Sequence, residues 1–129
     1  MREPYVSAED RVAAWMAAWN ADDEDERRRL ISVAFTEHGR YVAPLVDATG
    51  VENIAAALGD IMALHPGYRV RRSSEIQRHF DHIRFNWQLL NAENSCFLSG
   101  TDIAQIDGDC RFLRLAGFAG DLEEYSLEA

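Results

Sequence analysis

An aspartate in the middle of an apolar strand is the strongest chemical signal in this sequence. Residues 95–106, Ser-Cys-Phe-Leu-Ser-Gly-Thr-Asp-Ile-Ala-Gln-Ile, read as a half-buried strand. On a period of two, Asp102 shares its side with Cys96, Leu98, Gly100, Ala104 and Ile106, so its carboxyl group points into apolar material. A carboxyl placed there must be hydrogen-bonded, paired or protonated. Two readings follow. In one, Asp102 is a structural anchor for an indole or a helix end. In the other, it is an acid on a pocket floor whose raised pKa lets it donate or relay a proton to a bound carbonyl or epoxide oxygen.

The remaining candidates are grouped around it. Trp15, Trp19, Tyr41, Phe85 and Trp87 are many wide rings for a small chain. They suit either a packed core or the wall of a cavity for a flat apolar ligand, with Trp N–H and Tyr O–H groups as its polar anchors. Phe85, Trp87 and Leu89 fall on one strand face and Arg84, Asn86 and Gln88 on the other, so the first set is the expected pocket side. Leu98, Ala104 and, one strand on, Leu115 extend that wall. His79 and His82 flank Phe80 and Asp81. His79 is read as a general base at the pocket mouth or as a turn histidine, and no metal site is expected because nothing supplies a third ligand. His38 and His65 precede Gly39 and Pro66 and read as helix-end caps. Serine-hydrolase, phosphate-loop and dinucleotide fingerprints are absent from the sequence, so no cofactor is expected.

Elements must position these groups. Ser7 followed by Ala8-Glu9-Asp10 reads as an N-cap leading into Val12, Trp15, Met16 and Trp19 at helical spacing. A second helix starts around Asp22 to Asp25 and carries Leu30, Ile31, Val33, Ala34 and Phe35 before Gly39. Arg40-Tyr41-Val42-Ala43-Pro44 is a short extended piece, because Pro44 disfavours helix at Ala43. A third helix follows Gly50, with Val51, Ile54, Leu58, Ile61 and Met62, and Pro66-Gly67 stops it. From Tyr68 the period changes to two, which predicts strands over 70–78, 82–90, 96–106 and 111–118. Three helices and a meander make an α+β domain.

Size and charge bound the function. The 129 residues, 47% of them hydrophobic, suit a single domain spanning 1–129 with a real core. A formal charge of −9 repels phosphate backbones and anionic bilayers, so neither nucleic acid nor membrane is expected as a partner. The acids crowd the first helical region (Glu9, Asp10, and 22–26) and the tail (Asp121, Glu123, Glu124, Glu128). Arg69, Arg71, Arg72 and Arg78 read as a solvated or paired strand face. Cys96 and Cys110 could face each other across adjacent strands, but without ligand spacing a reduced protein is the simpler reading. Residues 1–5 have no apolar run behind them to act as a signal peptide, and a cytoplasmic protein is expected.

The order of short motifs resembles the nuclear transport factor 2-like superfamily, particularly its SnoaL-like polyketide-cyclase branch. Those motifs are Trp15-x-x-x-Trp19-Asn20, Gly39-Arg40-Tyr41-Val42-x-Pro44, Pro66-Gly67, Arg84-Phe85-x-Trp87, Gly100-Thr101-Asp102 and Gly117-Phe118. The resemblance implies three N-terminal helices packed in the concave face of a curved, mainly antiparallel sheet. The shape would be a cone, a cystatin-like barrel with an apolar pocket, commonly in homodimers through the convex sheet face. It implies no single activity, since the superfold carries isomerases, cyclases, hydrolases, dehydratases and binding modules. Against the ketosteroid isomerase branch, Asp102 looks like the carboxylic acid held protonated by an apolar site. The base of that branch falls at Ala43 and its oxyanion-hole Tyr at Trp15, so both roles are vacant. Asp47 would replace the base if its loop folded inward. Two functions stand side by side. One is a cofactor-independent isomerase, cyclase or hydrolase of a small apolar molecule, using Asp102 with Tyr41 and Trp15. The other is a non-catalytic ligand-binding or dimerisation module.

Overall fold

Local chemistry sets where each helix begins. The computed structural model describes residues 6–126. Glu128 and residues 1–5, on which the signal-peptide reading falls, lie outside the described residues. Helix α1 (Ala8–Trp19) is opened by Ser7, whose hydroxyl accepts from the Asp10 N–H while the Asp10 carboxylate accepts from the Ser7 N–H. This reciprocal cap satisfies two donors that the first turn leaves without partners. Asp23 caps α2 (Glu24–Ala34) by one bond, its carboxylate accepting from the Glu26 N–H. Gly50, at a φ of 87°, opens α3 (Val51–Ala63).

The second helix ends earlier than its periodicity predicts. Phe35 satisfies the helical stripe, yet it starts strand β1 (Phe35–Ala43) and is buried by pairing with Phe112. His38 is therefore an exposed residue inside a strand and not a helix cap. Pro44 and Leu45 form a two-residue turn into β2 (Val46–Thr49), a strand that the turn signals do not reveal. The predicted strand over 70–78 is two strands, β3 (Arg69–Arg72) and β4 (Gln77–His79), both paired with β5 (His82–Leu90). The break comes where the Ser74 hydroxyl takes the Asn86 N–H at 2.7 Å in place of a ladder carbonyl. Strands β6 (Cys96–Ile106) and β7 (Phe112–Ala119) complete the sheet.

The strand order is β2-β1-β7-β6-β5-β3, with β4 also on β5. Every pairing is antiparallel except β1 with β7. The sheet curls about the helices, since one cavity touches β1 and β7 on one side and β3 on the other. Behind that cavity the core is Val12, Trp15, Ile31, Phe35, Ile54, Leu58, Phe85 and Phe112. Trp15 is its hub, edge-on to Phe35 at 5.3 Å and to Tyr41 at 5.0 Å between ring centroids.

Buried polar side chains lock the layers together. Arg11 donates to the Val33 carbonyl at 2.9 Å and twice to the Asp109 carbonyl, tying α1 to α2 and to the β6–β7 turn. Arg27 donates to the Ala18 and Ala21 carbonyls at the end of α1. Asn20 acts as a substitute strand, donating to the Val70 carbonyl and accepting from the Val70 N–H, both at 2.8 Å, which pins the Trp19 end of α1 to β3. Cys96 opens β6 and Cys110 lies in the turn after it, and the two share no disulfide, in line with the reduced reading. No helix among the described residues is long and apolar enough to cross a membrane.

Candidate functional site

Asp102 faces inward, as the period of two requires, and is 3% exposed. It lies between Phe85 of β5 and Gly117 of β7 in register. Its Oδ2 accepts the Trp15 indole N–H at 3.0 Å. The second indole, Trp87, lies across Gly100, and its buried Nε1 has no hydrogen-bond partner among the described residues. Burial drives the Asp102 pKa up to about 7, opposed by the Trp15 hydrogen bond and by the Trp87 N–H nearby. The carboxyl is therefore divided between its acid and its anion near neutral pH. Since Oδ2 is held by an N–H donor, the proton belongs on Oδ1.

That oxygen looks into a cavity of about 330 Å³ at the open end of the cone. Met16 and Trp19 come from α1, Ile61 and Met62 from α3, Val70, Leu89 and Leu98 from β3, β5 and β6, and Ala43, Pro44 and Leu45 from the β1–β2 hairpin. Tyr41, His65 and Asp102 are the titratable groups on this wall. Tyr41 is nearly buried, and desolvation, with the Asp102 charge beside it, pushes its pKa well above the usual phenol range, so its hydroxyl keeps its proton.

Gly117 makes room for a ligand atom between the two polar groups. A Cβ at Gly117 would lie 2.9 Å from Asp102 Oδ1 and 3.6 Å from Tyr41 Oη. An oxygen in place of that methyl would sit at hydrogen-bond distance from Asp102 Oδ1 and beside the Tyr41 hydroxyl.

The structure divides the residues expected at the site. Asp102, Tyr41, Trp19, Trp87 and Leu98 meet in one cavity. Trp15, Phe85, Ala104 and Leu115, expected on its wall, are packed in the core behind it, each at most 1% exposed. Helices α1 and α2 fill that depth of the cone and leave only its open end hollow, so Trp15 acts by holding Asp102. His79 is not at the mouth. It is exposed, opposite His82 in the β4–β5 hairpin, in a shallow depression with Arg84 and Ile103, whose side chains point away from the cavity. Asp81 beside it is occupied by His82 and Gln105 at 2.9 and 3.1 Å. No group of three metal-binding side chains occurs among the described residues. Asp47 is turned out as well, because its neighbour Ala48 opposes Tyr41 and takes the inward face. The Arg40 fork grips Asp47 at 2.8 and 2.9 Å and holds its carboxyl below the usual range, so it cannot stand in for the base missing at Ala43.

Met16, Met62, His65 and Gly117 are further cavity residues; helical spacing marks Met16 and Met62 as apolar-face residues without assigning them to a pocket. His65 has a legible signal, a histidine before Pro-Gly at a helix end, but that signal reads as a cap. Its Nδ1 does meet the Ile61 carbonyl at 2.9 Å.

No family model matches the chain, and no curated protein matches it. Solved structures do. A protein of the SnoaL-like family from Agrobacterium tumefaciens str. C58, provisionally assigned as an isomerase, is 30% identical over 88% of this chain and 97% of its own, with a TM-score of 0.81. An NTF2-like protein of unknown function from Exiguobacterium sp. 255-15 is 19% identical over 87% of this chain and 99% of its own, with a TM-score of 0.68. A protein from Sinorhizobium meliloti, provisionally assigned as a polyketide cyclase, is 16% identical over 87% and 99%, with a TM-score of 0.66. The last two share the fold.

Proposed function

The chain belongs to the SnoaL-like family of the NTF2-like fold, and we propose that it binds a small, mostly apolar carbonyl compound and moves a proton at the carbon beside the carbonyl without a cofactor. This is chemistry of isomerase or cyclase type. The observation that carries it is the convergence of Asp102 Oδ1 and Tyr41 Oη on the Gly117 notch. A carbonyl oxygen seated there accepts a hydrogen bond from Asp102 with the Tyr41 O–H dipole beside it, inside an apolar cavity where both interactions strengthen as negative charge develops on it. The proton leaves carbon, the C–H electron pair becomes the enol double bond, and the carbonyl π pair moves to the oxygen that Asp102 protonates. Return of a proton to carbon completes the rearrangement. The isomerase and cyclase assignments of the family and fold relatives support the same class of chemistry.

The test uses 2-tetralone, a flat bicyclic ketone with an acidic C–H, and follows deuterium uptake at C1 by proton NMR. Binding is read separately from quenching of the cavity tryptophans, with tetralin as the analogue that lacks the oxygen. Expected are faster exchange than in buffer, preference for the ketone, and loss of at least about a hundredfold in rate in Asp102→Asn. Equal binding of ketone and hydrocarbon with no exchange above buffer would reject the proposal in favour of a binding module.

A specific observation keeps a dimer within this proposal. Val42, Ile103 and Phe118 are exposed on the outer sheet face, around Ala116, which neighbours both Val42 and Ile103 in register. A second copy covering this apolar stripe would remove it from water. Sedimentation at micromolar concentration should give a dimer, and Phe118→Glu should give a monomer with the cavity intact. A wild-type monomer under those conditions removes the dimer.

A further inference from the structure

We propose that His65 is the proton acceptor that works opposite Asp102, taking the proton from the ligand carbon through Nε2. This rests on the carbonyl reading above and supplies the base that reading leaves unassigned. The cavity narrows the choice. Of its three titratable groups, Tyr41 is held as the neutral phenol and Asp102 is committed to the ligand oxygen, with its other oxygen occupied by Trp15. Ala43 offers only a methyl group, and Asp47 is turned outward onto Arg40. His65 remains, and imidazole is the side chain best suited to accept and return a proton near neutral pH.

Its geometry fits the task. The Ile61 carbonyl, 2.9 Å from Nδ1, can only accept, so the ring proton sits on Nδ1 and Nε2 keeps its lone pair. Tyr68 and Phe97 flank the ring at 5.1 and 5.9 Å and restrain it. The cation formed when Nε2 takes a proton lies just beyond the C-terminus of α3, whose end carbonyls favour positive charge. His65 also borders the open groove that runs by Asn20, Asp22 and Arg69, so it touches the cavity on one side and water on the other. A base in that position removes a proton from carbon, exchanges it with solvent, and returns one. The C–H bond breaks, an Nε2–H bond forms, and the carbon electron pair moves through the enol to the oxygen at Asp102. Reversal restores every bond, with no oxidant or reductant required.

The test is the same 2-tetralone exchange with His65→Asn, His65→Gln and Asp102→Asn, each checked for folding by circular dichroism. His65→Asn puts an amide N–H where Nδ1 donates to Ile61 and leaves no base, so it retains the end of α3. His65→Gln is the second variant should the first not fold. Expected is a fall of about a hundredfold or more in exchange rate with 2-tetralone affinity within about threefold of wild type. His65→Ala is measured beside them, and added imidazole should restore part of its rate. Wild-type exchange in the folded His65 variants, with exchange lost in Asp102→Asn, would overturn the role of His65 and leave the carbonyl reading standing. Wild-type protein that exchanges no faster than buffer would overturn both.

Discussion

Asp102→Asn should remove a large pH dependence from the stability of the fold. The carboxyl titrates at about 7 in the folded protein against an ordinary value of 3.8. Between those values the folded chain keeps a proton that the unfolded chain has released, so stability falls as pH rises through this window and levels off above it. A separation of about three pH units at about 1.36 kcal/mol each amounts to about 4 kcal/mol. Asparagine has nearly the same shape, offers its carbonyl to Trp15 Nε1 and does not titrate. Urea denaturation of both proteins at pH values of about 4, 6 and 8 gives the comparison. The advantage of the variant should grow by about 2 kcal/mol from pH 4 to 6 and by between about 3 and 4 kcal/mol from pH 4 to 8, levelling off above that. Working with the difference cancels the exposed carboxyls of Glu26, Asp47 and Asp81. Hydrogen bonds from Arg29, Arg40 and Gln105 hold these three below their ordinary range, so they act in the opposite direction. A flat difference, or one favouring wild type as pH rises, would refute the burial argument.

Gly117→Ala places a methyl 2.9 Å from Asp102 Oδ1 and should weaken 2-tetralone binding about tenfold or more by quenching, with about 1–3 kcal/mol of stability lost to overpacking. Gly108→Ala, at a glycine with open space around it, should change neither, and equal affinity in the two variants would count against the notch. Leu45 sits at a φ of 65° at the second position of the Pro44–Leu45 turn, where glycine is unstrained, so Leu45→Gly should raise stability by about 0.5–1 kcal/mol in urea titration. A loss of stability would show that its rim contacts outweigh the strain. Arg11→Met strips donors from the Val33 and Asp109 carbonyls and should cost about 2–4 kcal/mol while leaving ketone affinity unchanged, and a cost below about 1 kcal/mol would mean that water replaces the guanidinium.

Alternation of apolar and polar residues suffices to turn Asp102 inward and to separate Phe85, Trp87 and Leu89 from Arg84, Asn86 and Gln88, because a strand leaves only two faces. What alternation cannot supply is depth. Phe85 and Trp87 lie on one face two residues apart, yet the first is core and the second cavity wall, a difference set by how far α1 and α2 reach into the cone. Phe35 fits a helical stripe and a strand equally, and its pairing with Phe112 across the chain decides the matter. The outward turn of Asp47 depends on the two-residue hairpin at Pro44–Leu45, whose register puts Ala48 against Tyr41. For His65 the cap reading is physically sound and incomplete: the same Ile61 bond that caps α3 leaves Nε2 with its lone pair.

A structural duty alone does not account for an acid at position 102. Oδ2 accepts the Trp15 N–H, and an amide carbonyl would serve that donor equally at every pH. The carboxyl instead destabilises the fold above neutral pH by about 4 kcal/mol, a large part of the roughly 5–15 kcal/mol that holds a domain of this size together. Its other oxygen faces a notch with no side chain in it, beside a phenol that keeps its proton. The same desolvation that weakens the fold brings the acid to about 7, where it gives up and regains a proton with equal ease. A cavity that only held a ketone would lose nothing with asparagine there, since the amide N–H also donates to a carbonyl. Asp102→Asn protein that binds 2-tetralone as wild type does but no longer exchanges its C1 protons would therefore assign the carboxyl to proton transfer, and undiminished exchange would assign it to packing.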